Sequence, residues 1–188
     1  MYNPAHFTVT DTAQLHALVR QFPLGMLLTS DSGETTLIAH VARANPVWQQ
    51  LAQGEAVMVV FRAEDGYISP NWYPSKHENH RQVPTWNYRV VHAHGTVAVR
   101  DDEKFVRGVV ARLTRTHEAR TQARGAQAHP AWKMGDAPSD YVQQMLGAIV
   151  GLEITVTRLE GKYKLSQNRT AADAQGAMAG LEGVGDAA

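Results

Sequence analysis

Four groups of residues have the types and spacing to do ligand chemistry. The first is His40-Val41-Ala42-Arg43-Ala44-Asn45-Pro46, where a β-prone run meets a helix start. An arginine beside free backbone N–H groups is how proteins hold a phosphate. Spacing alone favours the plainer reading, a surface arginine next to an ordinary N-cap. The second is Tyr67–Lys76 (YISPNWYPSK) with Pro84–Tyr88 (PTWNY) close behind, which puts two tryptophans and three tyrosines within 22 residues. Aromatic faces with a few placed hydrogen-bonding groups suit a planar heteroaromatic ligand. A satellite hydrophobic cluster pinning a long loop would use the same residues. The third is histidine: His77 and His80, then His92 and His94 at the period-2 spacing that shares one strand face. That pair could support a metal, but no HExxH or companion carboxylate spacing accompanies it, and no metal is expected. The fourth is Gly161–Arg169 (GKYKLSQNR), dense in donors. It either closes over an anionic ligand or is a solvated basic turn.

The elements that must position these groups follow from periodicity. Leu15, Leu18, Val19 and Phe22 lie at i, i+3, i+4 and i+7, so residues 11–22 form a helix, capped by Asp11 with Gln14 and ended by Pro23. Residues 25–30 and 35–41 form a β-hairpin about Asp31-Ser32-Gly33-Glu34. Asn45-Pro46 opens a helix of about two turns that Gly54 closes. Residues 56–62 form a strand, 64–84 a long irregular loop of the kind that is often functional, and 85–99 a long strand. Asp101–His117 is an amphipathic helix with acids at its start. Residues 118–129 extend it or link onward, and Ser139-Asp140 caps a short helix ending near Ala148. Leu152, Ile154 and Val156 mark a half-buried strand, and the tail from Ala171 is Ala/Gly-rich with frayed last residues. With no regular β-α-β alternation, a mostly antiparallel sheet or barrel with peripheral helices is expected, in one domain over 1–181.

Composition narrows the functions. The chain has 188 residues, Lys+Arg 18 against Asp+Glu 18, and no cysteine. Disulfides, thiolate metal sites, iron–sulfur clusters and thiol catalysis are all excluded. Zero formal charge gives no global pull toward nucleic acid or anionic membrane. Arg107, Arg112, Arg115, Arg120 and Arg124 are locally basic, but Phe105, Val106, Val109 and Val110 show a helix with its own apolar face, and no helix-turn-helix is recognisable. No basic apolar leader and no membrane-spanning run is present, so a soluble, cytoplasmic protein is expected. There is no G-x-S-x-G, G-x-G-x-x-G or Walker sequence, so no catalytic residue is assigned and any redox chemistry would come from a bound cofactor.

The segments His40–Pro46 (HVARANP), Tyr67–Lys76 (YISPNWYPSK), Val83–Tyr88 (VPTWNY) and Lys164–Arg169 (KLSQNR), with the Tyr-x-Pro-x-His-Phe opening, resemble those of the PaiB family. The resemblance runs from the N-terminus to about residue 181, and four blocks in order are more specific than any one. It implies an FMN-binding split barrel of the pyridoxamine-phosphate-oxidase-like kind, homodimeric with flavin at the subunit interface, in a negative transcriptional regulator. DNA contact is implied by this resemblance alone.

By the same resemblance Arg43 and Asn45 hold the flavin phosphate, with His40 on the strand leading in. Ser69, Trp72, Tyr73, Thr85, Trp86 and Asn87 line the ribityl and ring region. Lys164, Ser166 and Gln167 reach the flavin, from the same subunit or its partner. One departure is visible: the family's Asn-His-Leu/Ile-Pro-type segment is missing between Leu28-Thr29-Ser30 and Thr35. Either the site is trimmed there or the cofactor is held more weakly. The rival reading is a small FMN-dependent NAD(P)H oxidoreductase or flavin reductase; a haem-binding relative using His77, His80, His92 or His94 ranks third.

Overall fold

A computed structural model describes residues 1–23, 26–31 (backbone), 34–123, 125 and 129–185. The chain forms two compact units, one of Met1–Phe22, Val60–Ala93 and Leu159–Ala188, the other of Pro23–Val59 and His94–Arg158. The strands are β1 (Thr8–Val9), β2 (Met26–Asp31), β3 (Glu34–Ala42), β4 (Ala56–Ile68), β5 (Thr85–Arg100) and β6 (Ile149–Lys164). The helices are α1 (Thr12–Gln21), α2 (Val47–Gln50), α3 (Pro74–Asn79), α4 (Glu103–Ala123), α5 (Ser139–Gly147) and α6 (Ala171–Gly185). Strand order is β2-β3-β6-β5-β4, with β1 added on β6.

In the second unit β2 and β3 form the expected antiparallel hairpin, from Met26↔Ala39 to Asp31↔Glu34; turn residues 32–33 lie outside the described residues. β3 then pairs antiparallel with β6 from Thr35↔Val156 to Ala42↔Ile149. Leu37, Ile38 and Ala39 are all buried, which a strand can do only when both its faces are covered. Ile38 packs against Val109 and Leu113 of α4, with Phe105 beside them. The helix begins where the acids indicate, because Asp102 Oδ1 accepts from Phe105 N at 2.8 Å. Its Val106 joins Val142 and Leu146 of α5 in a second cluster. The helix expected after Pro46 is a single turn, since Asn45 Oδ1 accepts from Val47 N at 3.0 Å but the chain returns to extended backbone at Leu51.

In the first unit α1 buries Leu15, Leu18 and Val19, and Asp11 Oδ1 caps Ala13 N at 2.9 Å. Residues 64–84, expected to be irregular, are largely ordered. β4 continues to Ile68, a 3-10 turn covers Pro70–Trp72, and α3 ends at His80, whose φ is 56°. The partner that orders them is α6, over the Ala/Gly-rich stretch from Ala171. Ile68 and Tyr73 pack on Ala177, with Trp72 and Leu181 alongside. A Cβ at Gly176 would stand 2.0 Å from the Trp72 carbonyl oxygen, and one at Gly180 2.1 Å from its ring. These two glycines, one turn apart, give the helix a face flat enough to take the tryptophan.

Candidate functional site

Lys164, the last residue of β6, and the turn after it carry a polar cluster of the first unit. Lys164 Nζ donates to Thr85 Oγ1 and to the Trp86 carbonyl, each at 2.6 Å. Burial pushes the Lys164 ammonium below the usual lysine range, and the nearby Arg169 and Lys162 push it the same way. Two residues on, Ser166 has φ 64°, and its Oγ donates to Asn87 Oδ1 at 3.1 Å; both side chains are buried. The Gln167 side chain folds back on its own turn, accepting from Leu165 N at 2.6 Å and donating to the Tyr163 carbonyl. The positive φ at Ser166 is what turns the chain sharply enough after the strand for Lys164 and Ser166 both to reach the start of β5.

Beside this anchored lysine the Trp86 ring is 51% exposed and stands edge-on to Tyr67, with centroids 5.7 Å apart. An open pocket of about 480 Å³ lies here, lined by Arg62, Asp65, Trp86, Tyr88 and Val90. Residues 86, 88 and 90 share a face because successive strand side chains alternate. Arg62, Asp65 and Val90 lie outside the groups singled out from the sequence, and the period-2 run with Trp86 and Tyr88 was the signal for Val90.

The other residues expected along the ribityl and ring region sit differently. Ser69 Oγ accepts from Asn71 N at 3.2 Å and so starts the 3-10 turn. Tyr73 is fully buried under Arg169, whose guanidinium is 4.9 Å from the ring centre, and Trp72 packs on α6. A buried carboxylate, Asp173, ties this segment down. It accepts from Ser75 N at 3.0 Å and Ser75 Oγ at 2.8 Å, and Gln82 bridges Ser75 Oγ (2.7 Å) to Arg169 Nη1 (2.8 Å). Burial alone would raise the Asp173 carboxyl; the donors from Ser75 and Thr170, with Arg169 nearby, bring it below its ordinary value.

In the second unit Arg43 ends β3 as a clamp. Its Nε donates to the Gly147 carbonyl at 2.8 Å, Nη1 to Asp101 Oδ2 at 3.0 Å, and Nη2 to Asp101 Oδ1 at 2.5 Å and the Ile149 carbonyl at 3.3 Å. The hydrogen bonds between Arg43 and Asp101, with their mutual attraction, raise the Arg43 guanidinium pKa and lower that of the Asp101 carboxyl. Three backbone N–H groups of this segment are engaged: Arg43 N bonds Ala148 O at 2.8 Å, Asn45 N bonds Ala42 O at 2.9 Å, and Val47 N bonds Asn45 Oδ1. An anion reaching Arg43 therefore competes with Asp101. His40, three residues earlier, is half-buried; burial lowers its pKa, and its buried Nδ1 has no hydrogen-bond partner among the described residues.

The first unit's residues fit a flavin nucleotide chemically. An exposed indole and tyrosine offer faces for a planar heteroaromatic ring, and a lysine fixed beside them, with one ammonium proton beyond its two bonds, offers a donor to a flavin carbonyl or phosphate oxygen. Comparison with known proteins supports the cofactor. Residues 1–35 and 28–158 match the family described as "Putative FMN-binding domain", and the chain belongs to that family. The two matching segments overlap over residues 28–35, in the β2–β3 hairpin. Protease synthase and sporulation protein PAI 2 of Bacillus subtilis is 27% identical over 92% of this chain and 85% of its own, in line with the PaiB resemblance. An uncharacterized protein of Aspergillus fumigatus is 31% identical over 83% of this chain and 69% of its own. Among solved structures, the FAD and heme binding protein from Mycobacterium smegmatis aligns with TM-score 0.52 at 19% identity, covering 84% of this chain and 73% of that one. The fold is the mostly antiparallel split barrel with peripheral helices that the resemblance implied. No helix among the described residues is long and apolar enough to cross a membrane.

Proposed function

We propose that this protein binds FMN at the Lys164–Trp86 cluster and acts, as a cytoplasmic homodimer, as a flavin-dependent regulator of the PaiB type. The observation that carries the reading is the lysine held on Thr85 Oγ1 and the Trp86 carbonyl beside an exposed aromatic pair, in a chain of the FMN-binding family. Lys164 would donate to the flavin, Trp86 and Tyr67 would shield a ring face, and the buried Ser166–Asn87 bond would keep the lysine's turn in place. Bound FMN supplies a ring system that accepts and returns electrons. The regulatory part follows the Bacillus subtilis relative, whose name ties it to protease synthesis and sporulation. Flavin can shift a regulatory state only by binding one form of the protein more tightly than another.

The test is an FMN titration of the dialysed protein by absorbance and flavin fluorescence. Saturable binding near one FMN per subunit is expected, and no binding at tens of micromolar overturns the cofactor assignment. With FMN bound, a change in affinity for a promoter fragment without NAD(P)H turnover supports the regulator. Steady NAD(P)H turnover makes the protein a flavin oxidoreductase instead.

A further inference from the structure

The second unit contains a cavity that the flavin reading does not use. Its volume is about 300 Å³, and Trp132, Met134, Val142, Met145 and Leu146 form much of its wall, with His40 among the lining residues. Val142 and Leu146 belong to the buried α4–α5 cluster and make a firm floor, whereas Trp132, Tyr141 and Met145 are exposed at 43%, 53% and 44% and form an accessible rim. Among the described residues, no lysine, arginine, aspartate or glutamate lines it. His40 brings an imidazole to this wall; its Nδ1 is buried and has no hydrogen-bond partner among the described residues. Desolvation keeps the ring neutral, so it offers one donor and one acceptor and no charge.

We propose that this cavity binds a small neutral aromatic molecule bearing one hydroxyl or N–H group, its ring lodged among Trp132 and the methionines and its polar atom on the His40 imidazole. Size, the uncharged lining and the His40 imidazole each restrict the ligand. The volume is at the small end of ligand sites, about 300–1,000 Å³, which fits one or two rings. Thioether and indole walls favour an aromatic body. A wall without charged side chains disfavours an ion, which would be desolvated with no counter-charge. The inference is independent of the flavin reading and stands or falls whether or not FMN binds.

The test uses the full chain, with and without FMN, and two near-isosteric probes, p-cresol and p-xylene, followed by saturation-transfer NMR and by the ring ¹⁵N signals of histidine. Saturable p-cresol binding about tenfold tighter than p-xylene, the ratio one hydrogen bond provides, is expected, with a shift of the His40 signal. His40→Phe should bring the ratio to about one, and Ala137→Leu, which fills the cavity, should weaken both probes while leaving the His40 side chain in place. Equal affinity for the two probes, binding of neither at millimolar concentration, or an unchanged ratio in His40→Phe overturns the proposal. So does displacement of p-cresol by FMN, which would return His40 to the flavin site, or a self-association abolished by Ala137→Leu, which would give this face to a second copy of the chain.

Discussion

Replacing Lys164 by methionine keeps an unbranched side chain one atom shorter and removes its charge and donors. In the structure the ammonium makes two hydrogen bonds of 2.6 Å, to Thr85 Oγ1 and the Trp86 carbonyl, and has one proton left for a ligand. Water can take over both protein acceptors because the site is partly open, so the stability cost should be small, about 1 kcal/mol. The ligand bond is worth more. A hydrogen bond from a charged group contributes about 1.5–3 kcal/mol, hence a loss of roughly 10- to 150-fold in FMN affinity. The pH dependence gives a second readout. The Lys164 ammonium titrates below the usual lysine value of about 10.4, so FMN affinity should be full below that lowered value and fall as pH rises through it. Stability of the free protein runs the other way: between the folded and unfolded values the unfolded chain binds more protons, and stability rises with pH. Flavin fluorescence titrations from pH 7 to 10.5 on both proteins, with thermal melts beside them, measure both trends. Wild-type and Lys164→Met affinities within twofold of each other, or parallel pH profiles, would refute the role given to this lysine.

Three further outcomes follow from the same structure. Asp173→Asn keeps one acceptor for Ser75 and turns the other into a donor, which should cost about 2 kcal/mol, or about 4–8 °C in melting temperature for a chain of this size. Because the Asp173 carboxyl lies below its ordinary value, its contribution is full above the normal carboxylate range and is lost as pH falls through the lowered value. Thermal melts of the Asn variant should therefore lack that acid-side decline; a decline matching wild type sinks the assignment. Arg43→Ala and Asp101→Asn each break the strand-end clamp and should leave FMN affinity at the Lys164–Trp86 cluster within twofold of wild type; a loss of affinity confined to Arg43→Ala would give the flavin phosphate to Arg43 instead. Tyr73→Phe removes a buried hydroxyl with no hydrogen-bond partner among the described residues and should stabilise the protein by about 1 kcal/mol in urea unfolding; destabilisation would show that the hydroxyl is satisfied in solution.

Local rules carried much of the fold into the sequence. α1 and α4 were readable because their apolar residues repeat with the helical period and each has an aspartate cap, Asp11 or Asp102, that satisfies an N–H the helix leaves unpaired. The β2–β3 hairpin was readable because its arms are β-prone and its turn is short. The ends of β4 and β6 were not, because Asp65, Gly66, Glu160 and Gly161 look like loop residues until neighbouring chain supplies their hydrogen bonds, as β1 does for Gly161. α6 was equally hidden. It has little apolar periodicity, and its order comes from glycines that admit Trp72 and from Asp173 gripping Ser75, nearly a hundred residues away.

The site divides along the same line. Sequence alone supplied the residue types: the aromatic run, the basic KLSQNR turn, the absence of cysteine and the order of blocks that marks the family, all properties of the chain read in one dimension. Tertiary structure decided which of those residues could meet a ligand. It fixed Lys164 on Thr85 and Trp86, sent Tyr73 into the core, occupied Arg43 with Asp101, and set His40 in the wall of an apolar cavity. Those outcomes rest on contacts between positions tens to a hundred residues apart. The partner that satisfies or buries a side chain across such a distance is chosen by the whole packed chain, and local sequence does not encode it.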